Sequence, residues 1–147
     1  MKMKRGIRAA AGALFIAVFS LGCDQRQRDR SEAGKVLRAL EVVRAAPNEN
    51  KRLPAEELSH VVCSTPVVCG ARDQCADAYR HLAVGTEAAL KVKSELDKLE
   101  QEPATDREKM TKLASELDRA DSEINGARES MVRCEEAAST MRRTFGI

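Results

Sequence analysis

The five cysteines and two histidines are the side chains with which this sequence could do chemistry. Cys63, Cys69 and Cys75 follow one another at intervals of six residues, and His60 lies three residues before the first of them. Imidazole and thiolate groups bind soft metal ions, but structural zinc sites pair their cysteines with only about two to four residues between them. The spacing therefore favours disulfides. The alternative to disulfides is that His60, Cys63 and Cys69 bind a metal or another ligand, which would make this a small exported metal- or ligand-binding protein.

No common catalytic pattern occurs in the sequence. It contains no Cys-x-x-Cys redox motif, no Gly-rich phosphate-binding loop and no His-Glu-x-x-His metal motif. The acidic residues lie on the predicted outer faces of helices, without a pocket on which they converge. His81 falls at a flanking position of a predicted coiled coil, which suits a partly exposed side chain better than a general base. We therefore predict that the protein is not an enzyme and requires no cofactor.

The first 22 residues are predicted to form a signal peptide. A basic segment that ends at Arg8 precedes an apolar run over 9–21. This run is shorter than the about 20 residues needed to span a bilayer, but its length is typical of a signal sequence. It ends in Ser-Leu-Gly-Cys at Cys23, which resembles the lipobox of bacterial lipoprotein precursors. Because Ser-Leu-Gly also fits signal peptidase I, release of an unlipidated secreted protein stays open.

The lipobox resemblance implies a lipidated Cys23, carrying acyl chains such as palmitate, as the new N-terminus. It would anchor the chain to the bacterial cell membrane or outer membrane, facing the periplasm or the cell exterior. The number of cysteines agrees, because five is odd and an unpaired thiol in an exported protein needs an explanation. Lipid on Cys23 leaves four cysteines, which can form two disulfides in an oxidising compartment.

Two long helices are predicted from Cys75 onward. Apolar or small residues recur at alternating steps of three and four over 75–99 and again over 110–145. This is the a/d pattern of a coiled coil. A chain reversal at Pro103 pairs the two series in register along an antiparallel helical hairpin. In this register Cys75 lies opposite Cys134.

The register determines the expected disulfides. Small residues face large ones near the cysteines, so the helices can approach to the Cα separation of about 4.4–6.8 Å that a disulfide needs. Cys69 and Cys75 would lie about 9 Å apart along one helix axis and cannot bond. Residue 140, and not Cys134, falls opposite Cys69, which disfavours the alternative pairing Cys63–Cys75 with Cys69–Cys134. The predicted pairs are therefore Cys75–Cys134 across the hairpin and Cys63–Cys69 at the turn before it. Facing pairs farther along the hairpin are Gly85 with Ile124, Val92 with Leu117, and Leu99 with Met110.

The chain after the leader is predicted to be all-α, with one or two shorter helices packed at the base of the hairpin. Residues 23–30 are interpreted as the lipidated cysteine and a polar tether, and residues 31–147 as a single helical domain. The predicted helices span about 31–46, 54–63, 66–101 and 105–145. The first is expected to dock on a second stripe of the third, formed by Ala76, Tyr79, Ala83, Thr86 and Leu90.

Charge and shape limit the partners. Residues 24–147 carry 21 basic and 23 acidic side chains, and so nearly neutral a chain argues against electrostatic binding of nucleic acid. The lipid on Cys23 would make the membrane one partner. A long hairpin without a pocket suits a protein partner or a structural role in the cell envelope. Pairing of two hairpins into a four-helix bundle would make the protein a homo-oligomer.

Overall fold

The computed structural model describes residues 24–100 and 107–147, and residues 11–23 only as the backbone of the first helix. Over this part of the chain the regular elements are helical and no strand occurs, so the predicted all-α class is confirmed. Within the same residues, no helix is long and apolar enough to cross a membrane. The α-helices are α1 (Ala11–Ala45), α2 (Arg52–Ser59), α3 (Pro66–Leu99) and α4 (Arg107–Phe145).

Proline and glycine mark several helix ends. Pro47, which has an extended backbone, follows α1. Pro66 lies in the first turn of α3, after the extended backbone of Thr65. Gly146 has a positive φ of 64°, and its N–H donates to the carbonyl of Arg142 at 2.8 Å. Because Gly146 adopts this left-handed backbone conformation, the chain turns back onto the last carbonyls of α4 and the helix ends.

Helix α1 begins earlier than the sequence predicted. Residues 24–30, interpreted as a polar tether, continue the helix with mostly exposed side chains. Interactions one helical turn apart stabilise this stretch: Arg28 donates to Asp24 at 2.5 Å, and Gln25 donates to Asp29 at 2.8 Å. The lack of apolar residues therefore marks an exposed part of a helix and not an irregular tether.

Helix α2 is shorter than predicted and does not reach Cys63. It ends at Ser59, because the N–H groups of His60 and Val61 donate to carbonyls three residues back and tighten the turn. Cys63 therefore lies in the loop between α2 and α3. The predicted chain reversal at Pro103 lies outside the described residues.

The main core lies where all four helices meet. Leu40 of α1, Leu58 of α2 and Met141 of α4 are among its largest fully buried side chains. The α3 part of this core ends at Leu82. The buried members of the main core are Ala33, Val36, Leu40, Val43, Ala55, Leu58, Val68, Ala71, Cys75, Ala76, Ala78, Tyr79, Cys134, Ala138 and Met141.

A smaller core joins the later part of α3 to the beginning of α4. Met110 and Leu117, which the heptad pattern placed in this seam, are 39 % and 40 % exposed, so their predicted burial is wrong. Two helices cover only one side of each other, and α1 and α2 contribute no residue to this cluster. Its members are Val92, Leu96, Leu99 and Leu113.

The predicted docking stripe on α3 is buried over only part of its length. Ala76, Tyr79 and Ala83 are buried, whereas Leu90 is 47 % exposed. Leu40 of α1 belongs to the same cluster as Ala76 and Tyr79. Both α1 and α2 contact α3, so two helices share the coverage that the sequence assigned to α1 alone.

Gly85 lets α3 and α4 approach closely. A Cβ atom at this position would lie 2.7 Å from Ile124 Cγ1, 3.0 Å from the backbone oxygen of Ala120 and 3.1 Å from the backbone nitrogen of Ile124. Two of these neighbours are backbone atoms, so they cannot move aside as a side chain can. The predicted facing of Gly85 and Ile124 is present in the structure.

Candidate functional site

The disulfide between Cys75 and Cys134 joins α3 to α4 inside the main core. Their Cα atoms are 4.5 Å apart, near the short end of the range for disulfides. Both side chains are buried. The bond therefore lies where solvent does not reach it, and its position suits a structural bond better than a redox site.

The second disulfide joins Cys63 to Cys69, with 5.5 Å between their Cα atoms. It connects the loop after α2 to the first turn of α3, and both residues are half-buried. The presence of disulfides is thus confirmed: Cys75–Cys134 is the pair that the register predicted, and Cys63–Cys69 is the pair that remained after it. Because the sulfurs of Cys63 and Cys69 are bonded to each other, they offer no thiolate to a metal in this state. Nowhere in 24–100 or 107–147 do three His, Cys, Asp or Glu side chains cluster as metal ligands.

The other predicted site residues have simpler surroundings. His60 is exposed just after α2. His81 Nδ1 lies 2.6 Å from Glu123 Oε2, so this partly exposed histidine links α3 to α4 as well as lying on their flank. The side chain of Cys23 is outside the described residues, and its lipidation stays a prediction.

Lys51 is a buried cation that sequence reasoning missed. Its side chain is only 5 % exposed, and Nζ donates to the carbonyls of Val43, Arg44 and Ala46 at 2.8, 3.1 and 2.6 Å. The carbonyls of Val43 and Arg44 lie in the last turn of α1, where helix carbonyls lack internal partners, and that of Ala46 follows directly. Nζ also lies 5.4 Å from the centre of the Tyr79 ring. Burial lowers the pKa of the Lys51 ammonium, and its contacts cap α1 against α3.

Arg44 links α1 to α4. Its guanidinium donates to both carboxylate oxygens of Glu135, at 2.6 and 2.7 Å, and to Glu41 at 2.6 Å. Burial disfavours the charged guanidinium, but Glu135, the Tyr79 hydroxyl and Glu41 outweigh it and raise the pKa of Arg44. The two-oxygen contact with Glu135 fixes how these helices lie against each other.

The loop before α3 is held by two acids of α1. Glu32 accepts from the backbone N–H of Ser64 at 2.7 Å and from its hydroxyl at 2.9 Å, and Asp29 accepts from the hydroxyl of Thr65 at 2.9 Å. The hydrogen bonds from Ser64 hold the pKa of Glu32 below its ordinary value. These contacts fasten the α1 stretch that sequence reasoning treated as a tether to the disulfide loop.

A shallow groove of about 690 Å³ lies between the 26–38 stretch of α1 and the end of α4. Arg26, Arg30 and Arg38 line it from α1, and Phe145 and Ile147 line it from the other side. The sequence carried the signal for this groove, since Arg26 and Arg30 are four residues apart. The signal has meaning only if residues 24–30 are helical. We call this surface the arginine groove.

Comparison with protein families, with curated proteins and with solved structures finds no match to this chain.

Proposed function

We propose that this chain is an exported lipoprotein, anchored to a bacterial membrane through lipid on Cys23 and facing the periplasm or the cell exterior. Its mature part is proposed to act as a protein-interaction or structural module of the cell envelope. In this proposal α3 and α4 form an antiparallel coiled-coil hairpin, with α1 and α2 packed at the end that holds the buried disulfide.

The observation that carries the proposal is the use of the cysteines. Four of the five are joined in pairs, which is usual in an oxidising compartment and rare in the cytosol. The cysteine that remains is Cys23, at the end of the apolar leader. A lipobox cysteine has a reason to be unpaired, because its sulfur carries lipid.

Contacts between α3 and α4 support the hairpin. Cys75 bonds to Cys134, and Gly85 faces Ile124. From Cys75 to Gly85 the residue number rises along α3, whereas the contacting residue on α4 changes from Cys134 to the earlier Ile124. This order favours antiparallel packing. Farther along, large apolar side chains on α3 and α4 are exposed and available to a partner. They are Leu90, Met110 and Leu117.

Anchoring is tested by the mass of the exported protein. We expect the mature chain to begin at Cys23 and to carry the mass of acyl chains, and we expect it in the membrane fraction. The Cys23→Ser variant should lose the acyl mass. An unmodified chain in the soluble fraction would contradict anchoring and favour signal peptidase I. Thiol titration on the same sample addresses the metal-binding alternative, which needs Cys63 and Cys69 reduced.

The interaction role is tested by capture from native envelopes, with the anchored protein as bait. The double variant Met110→Glu/Leu117→Glu should lose a partner that the intact protein retains. Leu53→Glu is the matched control, because Leu53 is also exposed but lies on α2. Loss of the partner with the control alone would refute the assignment to the hairpin. Light scattering in detergent shows whether the partner is a second copy.

A further inference from the structure

The arginine groove has its cationic side on one face of α1. Arg26, Arg30 and Arg38 are spaced by four and eight residues, which keeps neighbouring members on the same face of a helix. Gly34 lies between them and leaves the floor open: a Cβ atom there would lie 3.5 Å from Arg38 Nη1. The guanidinium of Arg38 therefore lies back over the position of Gly34, towards the other two arginines.

The positive charge of the groove is not neutralised by the acids near it. Asp24 is engaged by Arg28, and Asp29 accepts from Gln25 and from Thr65. Arg30 donates to the backbone carbonyl of Gly146 at 3.1 Å, a neutral acceptor. Neither Arg26 nor Arg38 makes an ion pair with a residue of the described part of the chain.

The surrounding surface is also basic. Residues 24–46 and 139–147, which form the two sides of the groove, together carry eight basic and four acidic side chains. Residues 47–138 carry thirteen basic and nineteen acidic side chains. The nearly neutral charge of residues 24–147 therefore combines a basic part, which begins directly after Cys23, with an acidic part over 47–138.

We propose that the arginine groove binds the phosphate group of an anionic phospholipid in the membrane that holds the anchor, an inference that rests on the proposed anchoring. One guanidinium group can donate two parallel hydrogen bonds to the oxygens of a phosphate. Arg26 is only three residues from Cys23. Phe145 and Ile147 give the groove an apolar wall for the glycerol and upper acyl part of the lipid. A free inorganic anion would make no use of that wall.

Native mass spectrometry of the processed full chain in detergent tests the proposal. The probes are phosphatidylglycerol and phosphatidylcholine in equal amounts, with sn-glycerol 3-phosphate as the soluble competitor. We expect phosphatidylglycerol to be retained at least about tenfold more than phosphatidylcholine, because the choline ammonium of phosphatidylcholine offsets the charge of its phosphate and is repelled by the arginines. The same spectra show whether Cys23 is lipidated, so failure of anchoring is read separately from failure of the groove.

Three variants locate the binding. Arg26→Gln/Arg30→Gln/Arg38→Gln should reduce retention of phosphatidylglycerol to the level of phosphatidylcholine. Gly34→Leu should do the same without removing charge, because its side chain fills the floor of the groove. The control removes three exposed arginines of α4 and should leave retention unchanged. Its substitutions are Arg107→Gln, Arg119→Gln and Arg128→Gln.

The outcomes decide between sources of the anion. Equal loss with the groove variant and the control would show non-specific charge attraction and overturn the proposal. Retention by Gly34→Leu would overturn it as well. Complete displacement of phosphatidylglycerol by an equal concentration of sn-glycerol 3-phosphate would show a site for a soluble phosphate and not for a lipid. Thermal unfolding of each variant verifies that it is folded.

Discussion

At the scale of single residues, Gly85 and Glu32 show how local contacts fix the arrangement of the helices. Gly85 places the backbone of α3 against that of α4. Glu32 binds α1 to the loop in which Cys63 lies, through the backbone and the hydroxyl of Ser64. Each contact involves only a few atoms, but it joins elements that are far apart in the chain. Each can be tested with a substitution that changes only a few atoms.

Gly85→Ala is expected to destabilise the protein by about 1–2 kcal/mol, because overpacking against backbone atoms outweighs the higher helix propensity of alanine. Gly126→Ala is the matched control, since Gly126 is also inside a helix but a Cβ atom there would meet nothing within 4 Å. It should stabilise the protein by up to about 1 kcal/mol. Urea unfolding of the oxidised proteins measures both, and a stabilised Gly85→Ala would disprove the close approach.

Glu32 is expected to make stability sensitive to acid. Its pKa is lower in the folded protein than the ordinary value of 4.5, so its contribution is fully present above about pH 4.5 and is lost as the pH falls through the folded pKa. Glu32→Gln should therefore be less stable than the unmodified protein near pH 6, and the difference should shrink near pH 3. Glu57→Gln, a substitution at an exposed position of α2, should show no such change. A difference for Glu32→Gln that does not depend on pH would contradict this account.

At the scale of elements, apolar spacing predicts the long helices well and says little about polar segments. The pattern over 75–99 and 110–145 fits α3 and α4 and led to the two disulfides, because buried positions follow the helical period. It failed at Met110 and Leu117, where no third helix covers the seam. Residues 24–30 were misread because their helix is stabilised by side-chain pairs and not by burial.

The caps of the elements were beyond the sequence for a different reason. Lys51 donates to three backbone carbonyls, and a backbone acceptor has no signature in the residue types. Similarly, the arginine groove needs the helical state of residues 24–30 and the packing of the end of α4 against α1, neither of which local spacing reveals.

The two disulfides are expected to differ in their effect on stability. Cys75–Cys134 closes a separation of 59 residues and Cys63–Cys69 one of 6. In the chain-entropy view, removing the first costs about 4 kcal/mol and removing the second about 2 kcal/mol. Urea unfolding of Cys75→Ala/Cys134→Ala and of Cys63→Ala/Cys69→Ala compares them. Equal losses, or the reverse order, would show that local strain or packing dominates.

At the scale of the whole molecule, stability is distributed unevenly along α3 and α4. The end with the buried disulfide packs against α1 and α2, whereas the apolar cluster of the other end comprises four residues of the part that the structure describes. Stability on this pattern should fall with distance from Cys75 and Cys134. Under the anchoring and interaction roles proposed above, the less constrained end would be the one presented to a partner.

Hydrogen exchange measures this gradient directly. We expect backbone amides of 88–99 and 107–118 to exchange at least about tenfold faster than those of 71–82 and 130–141, because fewer buried contacts oppose local opening. Both groups come from α3 and α4, so the comparison is made within the same two helices. Uniform protection along α3 would indicate that a partner, such as a second copy, covers the distal part.

Because Lys51 is buried, chemical modification of its amine reports whether α1 is packed on α3. Reagents that acylate amines should modify the exposed lysines, such as Lys35 and Lys93, while Lys51 is shielded as long as α1 is seated on α3. Departure of α1 would free the amine and add one label at a known peptide. Footprinting of intact cells could therefore follow the docking of α1 on α3 in place, without purification and without any engineered probe.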